Sequence, residues 1–303
     1  VQIDQLKFLG YKTFFIFDGL IANSIDKEFI DFDSSSLLFL KNIQKLSLEG
    51  ERRETFEVSR KYLDDLFSKF ILKTSKEQRN WIVATDRNVS IAFLQNTQSE
   101  NIEAISETDA TLHAFLPTHE LTGFGFKANG DISTDPSTTR IVFDQRTRDG
   151  IISIAKIISK LFDLLLKESV LPHHRGMLNA LLPLHDPNIQ QWQKRTFYSD
   201  LVSEIKNECK KFVPLISIKP SWFNNSDFQV LSKIAKISSA PSIFNERDEA
   251  IKFMRFLGAK ESKLRDISSS FINANITNNG CAEIVSELIK LHETKQIDLV
   301  EIN

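Results

Sequence analysis

TGFGFKANGDISTDPSTTRIVFD, residues 122–144, joins two textures of this chain. Phe124–Ala128 reads as a strand. Asn129-Gly130-Asp131 favours a positive φ, and Asp135-Pro136-Ser137 starts a second turn, because an acid bonds nearby amides and proline fixes its own φ. Arg140-Ile141-Val142-Phe143 reads as the returning strand. The stretch is long for a plain hairpin. Lys127, Arg140, Arg146 and Arg148 lie in it or just beyond it, and such cations stabilise charge on a transferred phosphoryl group. Two readings stand side by side: an ornate hairpin, or a loop that presents polar groups, with Asn129, Gly130, Asp131 and Asp135 fixing its backbone.

Upstream, the pattern is mostly β. Thr13–Phe17 is β-branched and aromatic and predicts a buried strand, followed by a polar, irregular run to Lys27. Asp33-Ser34-Ser35-Ser36 supplies N-cap side chains before Leu37–Leu40 and predicts a short helix over 34–43. Lys45–Leu48 and Arg53–Lys61 predict strands around Glu49-Gly50-Glu51. Trp81–Ala84 and Val89–Leu94 predict two more around Thr85–Asn88, and Thr111–Leu116 predicts another. Asn96–Asp109 is polar and predicts an exposed loop. Too few helical periods interrupt these strands for a strand–helix alternation, so a mixed or antiparallel sheet is expected.

Downstream, the pattern is helical. Ile151, Ile154, Ile157, Ile158, Leu161, Leu164 and Leu165 recur at three and four residues, the spacing of one helix face. Pro172 ends this helix, and Pro183 and Pro187 frame a turn. Further helices are predicted over Phe197–Phe212, stopped by Pro214, and over Asp227–Ile237, Glu246–Leu257 and Cys281–His292. Gly258 is the C-terminal stop of the third of these. Short strands are predicted at Leu215–Ile218 and Ile297–Ile302.

Composition narrows the function classes. The 303 residues are 41% hydrophobic and 26% charged, with a net charge of −2. That is ordinary globular usage, with no global basic footprint for nucleic acid. Two cysteines, Cys209 and Cys281, are too few for a disulfide scaffold or a cysteine-based metal site. No two of the six histidines have zinc-protease spacing, and His173-His174-Arg175 reads as favourable charge at a helix C-terminus. Asp64-Asp65 reads as a solvated face. No P-loop, nucleophile elbow or dinucleotide fingerprint is present, and Gly123-Phe124-Gly125 is too short for a phosphate cradle. No apolar run reaches a membrane span, and no signal peptide opens the chain, so a cytoplasmic protein is expected. The chain opens on Val1 rather than Met, so preceding residues are expected.

FGFKANGDISTDPSTTRIVFD resembles a segment of the sacsin-like, GHKL-type ATPases, in which an Asn-Gly-Asp turn leads into a Thr-Asp-Pro-Ser run. DSSSLLFLKNIQKLSL resembles the helix and strand that close the ATP-binding domain of that family. EAIKFMRFLGAKE and NGCAEIVSELIKL resemble its downstream helices. The family is kin to the ninety-kilodalton heat-shock chaperone, DNA gyrase and the mismatch-repair ATPases. Its nucleotide pocket needs a helix with Glu and Asn, an Asp-x-Gly motif and a glycine-rich lid, and none of these occurs here. Thr13–Phe17 resembles the last strand of the ATP-binding domain. The resemblance therefore implies ATP and Mg²⁺ in an upstream domain, with neither bound by this chain alone.

In several kin, a basic residue after the pocket returns to the γ-phosphate. Lys127, Arg140 and Arg146 are the candidates the resemblance implies. Where the family pattern has Arg after Asp-Pro-Ser, this chain has Thr138, with Arg140 two positions on. The expected fold is α+β, a β-rich transducer-like domain of mixed sheet and long helix followed by a mostly helical region. The expected divisions are 1–48 (end of an ATP-binding domain), 49–212 and 213–303. The expected function is chaperone-like coupling of upstream ATP hydrolysis to a protein client or partner, with a homodimer as one assembly. The alternatives are a non-enzymatic protein-interaction module and a DNA-handling or bacterial phage-defence ATPase.

Overall fold

The computed structural model describes residues 7–8, 10–15, 32–49, 53–166, 176–184, 196–210, 218–234, 248–264 and 274–294. Nine strands form one sheet: β1 (Lys45–Glu49), β2 (Arg53–Tyr62), β3 (Phe67–Lys73), β4 (Gln78–Asp86), β5 (Val89–Gln95), β6 (Ile102–Glu103), β7 (Thr111–Ala114), β8 (Leu116–Leu121) and β9 (Lys127–Asn129). Their order is β1-β2-β3-β4-β5-β9-β7-β8, with β6 on β5. Every pairing is antiparallel except β7 with β9, which is parallel. The helices are α1 (Gln145–Leu166), α2 (Met177–Ala180), α3 (Phe197–Cys209), α4 (Asn225–Ile234), α5 (Asp248–Phe256) and α6 (Asn278–Glu293). The fold is α+β with a mixed sheet.

Strands β2 to β5 form a meander whose cross-strand partners run Arg60, Phe70, Trp81, Leu94. On one face Phe56, Phe70, Leu72, Trp81, Val83 and Ala92 pack with Leu37, Leu38 and Phe39. Those three come from a 3-10 helix, Ser34–Leu38, and its C-cap. Asp33 starts that helix, accepting at Oδ1 from the Ser35 N–H at 2.9 Å. The intervening residues Ile82, Ile91, Phe93 and Phe126 are buried too. Central strands covered on both faces read as continuous apolar runs, which is why their periodicity is weak.

Helix α1 starts earlier than the apolar pattern, because the Asp144 carboxylate caps the Thr147 N–H at 2.9 Å. Its stripe is buried at Ile151, Ile154, Ile158, Leu161 and Leu165, with Lys156 and Lys160 exposed. Phe162 meets Phe253 of α5 edge-on. Gly258, at φ 93°, stops the segment after α5 as expected. The chain divides into two compact units, Val1–Ile157 with Leu171–Leu201, and Ile158–Val170 with Val202–Asn303. The expected division at 48/49 falls inside the β1–β2 hairpin of one sheet. In the second unit Asp227 of α4 accepts from Thr277 N and Oγ1, the cap of α6. Gly280 follows that cap, since any Cβ there would overlap the Asp227 carboxylate.

Several expectations are corrected. Residues 13–15 are not a buried strand: Phe15 is 81% exposed and these residues take part in no described strand pairing. The 34–43 helix shortens to a 3-10 turn and a half. Thr111–Leu116 is not one strand, because the chain reverses at Phe115 (φ 65°) into β8. Strand β3 was not expected, as Ser68 and Lys69 dilute its apolar run. The 96–109 loop carries β6 and buries Ile102 and Ile105. Arg140–Phe143 is not a returning strand and contributes only the bridge Thr134–Ile141. Neither Asn129 nor Gly130 has a positive φ. Gly50, Glu51, Pro172, Pro187, Pro214, the 173–175 basic run, the 215–217 part of the short strand and the 297–302 strand lie outside the described residues.

Leu161 is fully buried, so Leu161→Ala should destabilise the protein by roughly 2–5 kcal/mol in urea unfolding. A change within about 0.5 kcal/mol would show that the helix face is not packed.

Candidate functional site

Residues 130–144 leave the sheet at Gly130, whose N–H donates to the His113 carbonyl at 3.1 Å. The two limbs of the loop are then tied to each other. Val142 N–H donates to Ser133 O at 2.8 Å, and Asp135 N–H to Arg140 O at 2.9 Å. Thr147 of α1 joins both limbs, donating from Oγ1 to Val142 O at 2.6 Å and accepting from Ser133 N–H at 3.2 Å. His119 N–H of β8 donates to Thr139 O at 2.7 Å, which attaches the tip to the sheet edge.

Asp135 organises the tip. Its carboxylate accepts from Ser137 Oγ, Thr139 N and Arg140 N. The Ser137 bond foremost, with the two amides and the nearby Arg140 charge, holds this carboxyl below its ordinary value, against desolvation that acts the other way and is second in size. Thr138 lies at φ 59°, a conformation costly for a β-branched residue. The loop is thus a fixed scaffold, and Arg140 projects from it. Its side chain is exposed and forms no ion pair with a described residue.

The other two cations are engaged. Arg146 pairs with Asp131, which ties the start of α1 to the first limb. Lys127 is buried on β9, and its Nζ donates to Asp33 Oδ2 at 2.9 Å and to Thr111 Oγ1 at 3.0 Å. The Thr111 hydroxyl also lies 3.0 Å from His113 Nε2, a hydrogen bond whose donor is set by the imidazole tautomer. His113 Nδ1 is buried and finds no partner among the described residues. Burial first, and then the Lys127 charge, push His113 down to about 4, with Asp33 opposing. Burial raises Asp33, but Lys127 and the Ser35 bonds outweigh it and leave the carboxyl below its usual range.

Sequence reasoning placed Lys127, Asn129, Gly130, Asp131, Asp135, Arg140 and Arg146 in one loop. The structure divides them. Lys127 and Asn129 belong to the sheet, where Asn129 Oδ1 accepts from the Phe115 N–H at 2.8 Å and supports the β7–β8 turn. Asp131, Asp135 and Arg140 belong to the loop, and Arg146 to the first turn of α1. Asp33, Thr111 and His113 were not expected to join Lys127. The alternation Thr111-x-His113 on one strand face was the only local signal, and nothing near Asp33 points to a residue 94 positions on. Gly123 and Gly125 serve packing: a Cβ on Gly125 would lie 2.6 Å from the Ala104 Cβ, and one on Gly123 would overlap the Tyr198 ring. Among the described residues no group of His, Cys, Asp and Glu could hold a metal. No family model, curated protein or solved structure matches the chain.

His113 gives this site a pH signature. The unfolded chain takes up the imidazole proton near 6.5, the folded protein near 4. Between these values the unfolded state binds more protons, so stability falls as pH falls, by about 3 kcal/mol in all. Asp33 loses its own contribution only below 3.8. His113→Gln should flatten the decline between pH 6.5 and 4 in urea unfolding. A variant as pH-dependent as the parent would contradict the burial of His113 beside Lys127.

Proposed function

We propose that this chain is the portion of a sacsin-like, GHKL-type ATPase that follows the nucleotide pocket. In this reading ATP and Mg²⁺ are held by an upstream domain, and the chain couples their turnover to a protein partner. No helix among the described residues is long and apolar enough to cross a membrane, so the reading involves no membrane-spanning helix. The described residues offer no metal cage, so the chain's own contribution is a positioned cation.

Arg140 is the residue that best fits this role. The supporting observation is the division among the three cations: Lys127 and Arg146 are each held by an aspartate, while Arg140 stands exposed on a loop fixed by its own hydrogen bonds. A guanidinium offers a planar fork of donors that suits phosphoryl oxygens. Fixing the loop beforehand means that little reorganisation is needed when charge develops. Asp135 keeps the tip in shape and stays ionised, so it also moderates the Arg140 charge at rest.

The chain alone should show no tight ATP binding, and a Kd below about 10 μM in calorimetry would contradict the reading. In the protein that includes the upstream domain, Arg140→Ala should fold normally and lose turnover by roughly 10²-fold, with a much smaller change in KM. Hydrolysis at the parental rate would leave the loop with a structural role only.

A further inference from the structure

A second concavity lies on the sheet face beneath the 3-10 helix, away from the 130–144 loop in sequence and independent of the ATPase reading. It has a volume of about 310 Å³, at the small end of the ~300–1,000 Å³ range of ligand pockets. Half-buried Leu40 and Val58 and exposed Ile43 supply its accessible apolar surface, over the buried Leu37, Leu38 and Phe70. Lys41, Gln44 and Arg60 supply polar groups at its mouth, and no carboxylate lines it among the described residues. The mouth is therefore positive and the floor apolar.

Arg60 is the ordered element of this mouth. It sits directly opposite Phe70 in the β2–β3 ladder. Its guanidinium carbon lies 5.1 Å from the Phe70 ring centroid and 4.6 Å from that of Tyr62. Contact with two aromatic faces restrains the guanidinium while its N–H edge stays available to an anion. Neither Arg60 nor Lys41 forms an ion pair with a described residue, although Lys45 and Glu57 nearby pair with each other at 3.1 Å. Two cations with no ion-pair partner among the described residues, beside a small apolar surface, match a ligand with the same two halves.

We infer that this cleft binds a small organic anion: a flat apolar body of about naphthalene size carrying one carboxylate or sulfonate. The body would displace water from Leu40, Ile43 and Val58, and the anionic group would meet the Arg60 fork with Lys41 beside it.

The test titrates the whole chain with 2-naphthoate by calorimetry and maps the site by amide chemical shifts. Saturable binding is expected, with shifts centred on Leu38, Lys41 and Arg60. Arg60→Gln should weaken it by roughly tenfold or more, the scale of one charge-assisted hydrogen bond, and 2-naphthalenemethanol, the neutral analogue, should bind correspondingly worse. Lys41→Gln gives a second reading of the charge should Arg60→Gln fail to fold, and it should weaken binding severalfold. Absence of saturable binding, shifts located elsewhere, equal affinity for the neutral alcohol, or indifference to both substitutions would overturn the assignment.

Discussion

An ammonium group enclosed in protein must find oxygen atoms, and Lys127 finds two: the Asp33 carboxylate, 94 residues earlier, and the Thr111 hydroxyl on the next strand. Burying a lysine charge costs several kcal/mol unless a partner is placed well, and removing one partner costs more than never having built the pair. That requirement fixes where the 3-10 helix sits. Asp33 is its N-cap, so one carboxylate starts the helix with Oδ1 and holds the sheet with Oδ2. Leu37, Leu38 and Phe39 are thereby set over Phe70, Trp81 and Val83, and Phe39 lies 4.8 Å from the His113 ring.

The same three-residue strand is the origin of the loop. β9 pairs on one side with β5 and on the other, in parallel, with β7. Asn129 holds the Phe115 turn with its side chain, and the Gly130 amide bonds to the carbonyl of His113. The chain therefore enters residues 130–144 from a strand immobilised on both edges, and leaves into α1 through the Asp144 cap and Thr147. Between these fixed ends Asp135 shapes the tip. In the proposed function the three cations have separate duties: the buried Lys127 positions, the Asp131-bound Arg146 ties the loop to the helix, and Arg140 acts outward.

How much of this was legible in the sequence follows from which interactions are local. The long helix α1 was legible because its stripe repeats every three to four residues, and the cap at Asp33 and the turn at Asp135 were legible as residue types. The α+β class followed from the change of texture after residue 149. The β7–β8 reversal was not legible, since Phe115 carries no turn chemistry and its positive φ is imposed by the Asn129 bond. The return strand at 140–143 was overread: its β-branched and aromatic residues suit a strand, but side-chain bonds from Asp135 and Thr147 take its partners. The polar cluster around Lys127 was half legible. The lysine was singled out as a charge near a loop, whereas its burial depends on the distant Asp33, which no spacing rule connects to it.

The account rests on Lys127 being a held, interior cation, which leaves Arg140 as the outward one of the candidates Lys127, Arg140 and Arg146. A double-mutant cycle on Asp33 and Lys127 tests this most directly, with Asp33→Ala, Lys127→Met and the pair compared by urea unfolding. The account predicts coupling of about 1.5 kcal/mol or more, with Asp33→Ala alone more damaging than the double variant, because only the single change strands a buried charge. Effects that add to within about 0.5 kcal/mol would contradict it, since Lys127 would then owe its place to something other than Asp33.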